Sequence, residues 1–99
     1  MIYAIIGEDC QQSLPLRRKA RPAHLARLKQ LAAEDRLILA GPFPAVDNPD
    51  PGEAGFSGSL IVALFDSLAS AEAWIHEDPY YLEGVFVKVT VKPFNKVLP

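Results

Sequence analysis

Apolar and polar positions alternate along the chain in two distinct periods. Ile2–Ile6 (IYAII) is an almost unbroken apolar run with β-branched residues, which predicts a strand buried on both faces. Ser13 is placed to cap a following helix, with Pro15 in its first turn, and helical spacing then continues to about Asp35. Pro22 falls inside that stretch and predicts a kink or the start of a second helix. Arg36–Ala40 (RLILA) reads as a second strand ended by Gly41-Pro42. Pro44–Phe56 is dense in Pro, Gly, Asn and Asp and reads as a long loop of the kind that often has a role, here at a pocket mouth or an interface. Ser59–Phe65 (SLIVALF) is the third strand. Ser67 can cap a helix over Leu68–His76, which Asp78-Pro79 should end. Gly84–Val91 (GVFVKVTV) is the fourth strand.

The order β-α-β-β-α-β predicts an α+β, ferredoxin-like fold: a four-stranded antiparallel sheet with two helices on one face. Two helices cover only one face, yet the third strand is apolar on both. Leu60, Val62 and Leu64 point one way, and Ile61, Ala63 and Phe65 the other. In the fourth strand Val85, Val87, Val89 and Val91 are expected on one face, opposite Phe86, Lys88, Thr90 and Lys92. A chain of 99 residues has nothing left to cover the second face, so a homodimer with the sheets packed face to face is expected. A charge at Ile61 or Phe65 should then disrupt folding or assembly.

The first helix carries an anomaly. At about 100° per residue, Leu25, Leu28, Leu31 and Ala32 form an inward stripe, and Arg17, Arg21 and His24 lie in the same sector. An unpaired buried guanidinium is very costly, so the first turns of this stripe should face a cavity, a carboxylate, or both. Taken singly, His24 suits a hydrogen-bonded core histidine and Arg21 a structural ion pair with its stem on the core. Together, three residues apart, they suit a polar pocket as well. Asp78, re-aimed by the following proline, is a candidate partner that would fix the tautomer of His24, although its simpler role is that of a turn residue. Asp9, Asp35, Asp47 and Asp50 are alternatives. His76 sits in an ordinary surface setting, Ser59 lacks a nucleophile elbow, and Cys10 has no basic neighbour in sequence to activate it.

Composition narrows the function classes. The formal net charge of −2 gives no basic footprint for nucleic acid or an anionic membrane. The longest apolar run is too short to span a bilayer, and MIYAIIGEDC lacks a signal-peptide pattern, so a cytoplasmic location is the expectation. The single cysteine allows no internal disulfide. With no CxxC or HExxH, a metal site is not expected, and without a phosphate-cradling glycine loop nucleotides are not either.

The blocks MIYAIIGEDC, RPAHLARLKQLAAEDRLILAGPFPAVD, GFSGSLIVALF and AWIHEDPYYLEGVFVKVTVKPFNKV, in that order, resemble the YciI-like (YCII-related domain) proteins nearly end to end. The resemblance implies a single such domain over 1–99, assembled as a dimeric α+β barrel, and a His–Asp pair in a pocket. A related member is a dehydrochlorinase of a chlorinated aromatic metabolite. Carried over by motif, the pair is His24 and Asp78, with Arg21 and Pro79 on the substrate. Three readings follow: a cofactor-independent enzyme doing acid/base chemistry on a small anionic organic molecule, by elimination, isomerisation or hydrolysis; a dimeric module that only binds such a ligand; or a structural protein whose polar stripe is an ion-pair network.

Overall fold

A computed structural model describes all 99 residues. The elements run β1 (Ile2–Asp9), α1 (Leu14–Ala33), β2 (Leu37–Pro44), β3 (Phe56–Leu64), α2 (Leu68–His76), a one-turn α3 (Pro79–Leu82) and β4 (Phe86–Phe94). The sheet order is β2-β3-β1-β4, antiparallel at every pairing. This is the expected ferredoxin-like arrangement with one short helix added. Tyr3, Ile5, Ile61, Ala63, Phe65, Ala71, Ile75, Val85 and Phe86 make the core between sheet and helices, with Ala20 and Leu31 from α1. No helix is long and apolar enough to cross a membrane.

Several local expectations change. α1 runs unbroken through Pro22. Pro22 and Arg18 are both exposed, so the carbonyl that loses its helical donor lies on the hydrated side. Ser13 stands at the N-cap position but makes no capping bond. Its backbone is already helical (φ −72°, ψ −12°) rather than in the extended conformation that brings a capping oxygen to the first-turn N–H groups, and its hydroxyl donates to Asp9 Oδ2 at 2.5 Å. β2 continues through Gly41-Pro42 to Pro44. It is an edge strand, where a missing N–H can face outward. Ser67 does cap α2, reciprocally with Ser70.

The fourth strand departs most. The β1–β4 register shifts between Glu8 and Asp9, which pair with Lys88 and Phe86, so Val87 is the extra residue of a bulge. Phe86, expected on the outer face, therefore turns into the core at 4% exposure, and Val87, expected with the inner valines, is 68% exposed. Gly7 makes this possible: a Cβ there would lie 2.7 Å from the Phe86 ring. Strict alternation could not foresee the reversal because one inserted residue changes the phase across the bulge: Val89 and Val91 keep the inner face, and Phe86 on the other side of Val87 joins them there.

The pairing Leu39↔Val62, Phe43↔Gly58, Ile2↔Leu64 and Ile2↔Phe94 gathers these residues on the helix-free face. Leu39, Phe43, Leu64 and Phe94 are exposed there.

Candidate functional site

α1 presents Arg17, Ala20, His24 and Leu31 as its buried positions, a single stripe with its polar end toward the N-terminus. That end lies over the last residue of β1 and the start of β3. Asp9 receives the Arg17 fork, with Nε donating to Oδ2 at 2.6 Å and Nη2 to Oδ1 at 3.0 Å. Nη2 also reaches the Gly58 carbonyl (2.9 Å) and Ser59 Oγ (2.8 Å). The Phe56 and Tyr80 rings lie 5.1 and 5.0 Å from this guanidinium, near enough for cation–π attraction.

Two turns further along, His24 Nδ1 lies 2.6 Å from Asp78 Oδ2. Asp78 is fully buried, and the other largest buried side chains, Ile5, Ile61, Ile75 and Val85, are all aliphatic. A carboxylate in that position is tolerable only when paired. Asp78 Oδ1 accepts from Arg27 Nη1 at 2.8 Å, and Oδ2 also accepts from the Tyr80 N–H at 3.0 Å. The chain delivers it by local rules: α2 ends at His76, and Asp78 takes an extended conformation (φ −73°, ψ 139°) before Pro79 and caps α3. Since an ionised carboxylate only accepts, Nδ1 carries the proton of this bond, and the lone pair of an uncharged ring would then lie at Nε2. Tyr80 stacks flat on the imidazole, with centroids 3.8 Å apart and planes at 7°.

Of these groups Arg17, Ser59, His24 and Tyr80 line a cavity of about 330 Å³ together with Leu25, Leu28, Ile61, Phe56 and the β2 segment Ala40–Pro42, whereas Asp9, Asp78 and Arg27 do not border it. His24 Nε2 makes no hydrogen bond within the protein, yet no buried side-chain polar atom lacks a partner. Nε2 therefore reaches open space on the cavity side. Arg17, Arg18 and Arg21 line the cavity and no carboxylate does; Asp9 pairs with Arg17 alone, which leaves a local surplus of positive charge in a chain of net charge −2. Burial holds the Tyr80 phenol above its ordinary 10.0, against the pull of Arg17 and Arg21 and helped by Asp78 and Asp9. No three His, Cys, Asp or Glu side chains come together as a metal site.

Of the residues singled out in sequence, His24 and Asp78 are in contact, and Arg21 lines the cavity from an exposed position without an ion-pair partner. Pro79 is not among the lining residues; it starts α3 and thereby sets Asp78. Of the long loop, only its last residue, Phe56, lines the cavity. His76 packs against Tyr81 instead, and Cys10 is a half-buried free thiol. Sequence reasoning gave no role to Arg27 or Tyr80 and did not pair Arg17 with Asp9. The available signals were the position of Arg27 three residues after His24 and that of Tyr80 two residues after Asp78.

Comparison with known proteins agrees over the whole length. The model of the YCII-related domain family matches residues 1–95. Protein YciI of Escherichia coli O6:H1 is 55% identical over 97 residues, covering 98% of this chain and 99% of that protein. An uncharacterized protein of Haemophilus influenzae is 50% identical over the same span and coverage. Among solved structures, a 5-chloro-2-hydroxyhydroquinone dehydrochlorinase from Burkholderia phenoliruptrix AC1100, in complex with 2,5-dihydroxybenzoquinone, superposes with a TM-score of 0.84. At 24% identity, and covering 97% of this chain and 95% of that one, it shares the fold. On the family match and the near-complete relatives, the chain belongs to the YCII-related domain family.

Proposed function

We propose that this protein is a small enzyme that performs acid/base chemistry on a small anionic organic molecule, with His24 and Asp78 as the reacting dyad. The observation that carries it is His24 Nδ1 at 2.6 Å from a fully buried carboxylate, with Nε2 open to an arginine-lined cavity. Asp78 fixes the tautomer and stabilises the imidazolium that forms; Arg27 and the Tyr80 N–H keep Asp78 from rotating away. Nε2 takes a proton from the bound substrate in an elimination or isomerisation, or from the attacking water in a hydrolysis, and returns it to the product or to a leaving group. Such a positioned base contributes about 10²–10⁴ in rate. A volume of about 330 Å³ suits a molecule of roughly one ring. Arg21, exposed at the rim, draws in the anion. The dehydrochlorinase with the same fold makes halogenated hydroquinones the first substrates to try.

The working unit in this reading is a homodimer joined through the helix-free face. Leu39, Phe43, Leu64 and Phe94 make that face apolar where a solvated sheet would be polar.

The test is incubation with chlorinated hydroquinones and small hydroxy acids, followed by NMR. Turnover lost in both His24→Ala and Asp78→Asn, with the double variant little worse than either, supports the dyad; additive losses would sink it. Stoichiometric binding without product leaves the same cavity as a ligand-binding module.

A further inference from the structure

The cavity is bordered by three arginines of α1, Arg17, Arg18 and Arg21, and they differ in a way that assigns them different work. Arg18 and Arg21 are exposed and make no ion pair, so gripping a ligand would cost each the freedom of a long side chain. Arg17 is 6% exposed and already held. Its Nε and Nη2 are engaged by Asp9, the Gly58 carbonyl and Ser59 Oγ, and the Phe56 and Tyr80 rings flank its guanidinium.

Arg17 Nη1 has no protein acceptor. Because no buried side-chain polar atom goes unpartnered, Nη1 reaches open space where Arg17 borders the cavity. The same reasoning applies to Tyr80 Oη, which has no partner in the protein. Tyr80 carries His24 stacked at 3.8 Å and Arg17 at 5.0 Å from its ring, so one aromatic ring spaces the fixed cation from the base.

We infer that Arg17, through Nη1, is the anchor for the anionic oxygen of the substrate, with Arg18 and Arg21 acting only as attracting charges at the mouth. The inference rests on the proposed use of the cavity for an anionic molecule and names the group that holds it. It also narrows the ligand chemistry. The Nε side of the fork is taken by Asp9 and Nη2 is filled, so Arg17 offers Nη1 donors to one oxygen rather than a two-pronged clamp to a carboxylate. A phenolate or enolate oxygen satisfies that geometry in full. The orientation is prepaid by the Asp9–Ser59 frame, which is the arrangement expected of an electrostatic anchor close to a reacting base.

The probe is 4-nitrophenol, whose phenolate is coloured. Bound to the wild-type protein, its apparent pKa should fall by about one unit or more, as an acid does beside a guanidinium. Arg17→Lys keeps a charge for Asp9 but leaves no second donor facing the cavity. It should weaken binding of the phenolate about tenfold or more and abolish the pKa drop. Arg18→Gln and Arg21→Gln should weaken it only about two- to threefold, an effect that fades at high salt. A drop that survives Arg17→Lys but vanishes in Arg21→Gln overturns the assignment, as does the absence of any drop in the wild type. Should Arg17→Lys unfold, wild-type crystals soaked with 4-bromophenolate decide: oxygen on Arg17 Nη1 upholds the anchor, and oxygen on Arg21 or Arg18 overturns it. Neither readout needs turnover. Phenolate held by Arg17 with no turnover of the chlorinated hydroquinones or hydroxy acids overturns the enzyme reading alone; turnover with binding unchanged by Arg17→Lys overturns the anchor alone.

Discussion

Asp78→Ala tests the carboxylate on which the site is built. Asp78 is fully buried and receives His24 Nδ1 at 2.6 Å, Arg27 Nη1 at 2.8 Å and the Tyr80 N–H at 3.0 Å. Removing it strands three donors. The Tyr80 N–H and His24 Nδ1 are enclosed and keep their desolvation penalty. Arg27 is partly exposed and can recover some hydration. Breaking a buried pair from one side costs about 3–5 kcal/mol, and the partial exposure of Arg27 places Asp78→Ala near the lower end, about 3 kcal/mol. Asp78→Asn keeps the shape but turns an amide N–H₂ toward one of the three donors, for a loss of about 2 kcal/mol. Domains of this size are stable by about 5–15 kcal/mol, so both variants should fold. The assay is urea unfolding at neutral pH, followed through the fluorescence of Trp74. This single tryptophan lies 4.3 Å from the Arg27 guanidinium and so reports on the same region. Protein concentration is held fixed because self-association would couple to the midpoint. A loss below about 1 kcal/mol for Asp78→Ala would refute the three-donor account. A double-mutant cycle with His24→Ala should give a coupling of about 1–3 kcal/mol.

Leu64→Lys, at an exposed position of the helix-free face, should yield a folded monomer in sedimentation, whereas a charge at Ile61, which is in the core, should prevent folding; a Leu64→Lys protein that still dimerises would remove the face-to-face sheet assembly. Gly7→Ala crowds the Phe86 ring at 2.7 Å and should cost about 1–3 kcal/mol, because a ring can shift. Gly58→Ala meets the Gly7 backbone carbonyl, which cannot move without the strand, and should lower the melting temperature further than Gly7→Ala does. Tyr80, raised above 10.0 in the folded state chiefly by burial, contributes stability that is complete below its unfolded value and is lost as the pH climbs through the folded one. Urea midpoints should therefore fall above about pH 10 in the wild type and fall less in Tyr80→Phe.

Much of this architecture was written in periodicity. Apolar runs and helix caps placed β1, α1, β3 and α2 to within a few residues, because alternation and helical spacing are local properties of the chain. The two-sided apolar pattern of β3 marked the uncovered sheet face. The phase of α1 put His24 and Arg17 inward, and Asp78 before Pro79 had to adopt the extended backbone that re-aims its side chain. Partner choice was not local. Arg17 and Arg21 share one helical phase, and only the closure of β1 and β3 against α1 gave the buried carboxylate, Asp9, to Arg17 and left Arg21 exposed. Arg27 meets Asp78, and Tyr80 stacks on His24, across more than fifty residues of chain. The inward turn of Phe86 came from one inserted residue in β4 and from the space Gly7 leaves for a ring. Sequence fixes the direction of a side chain from its own element, but a buried charge is paired by whatever the other elements bring within hydrogen-bond reach, and that is decided only when they pack.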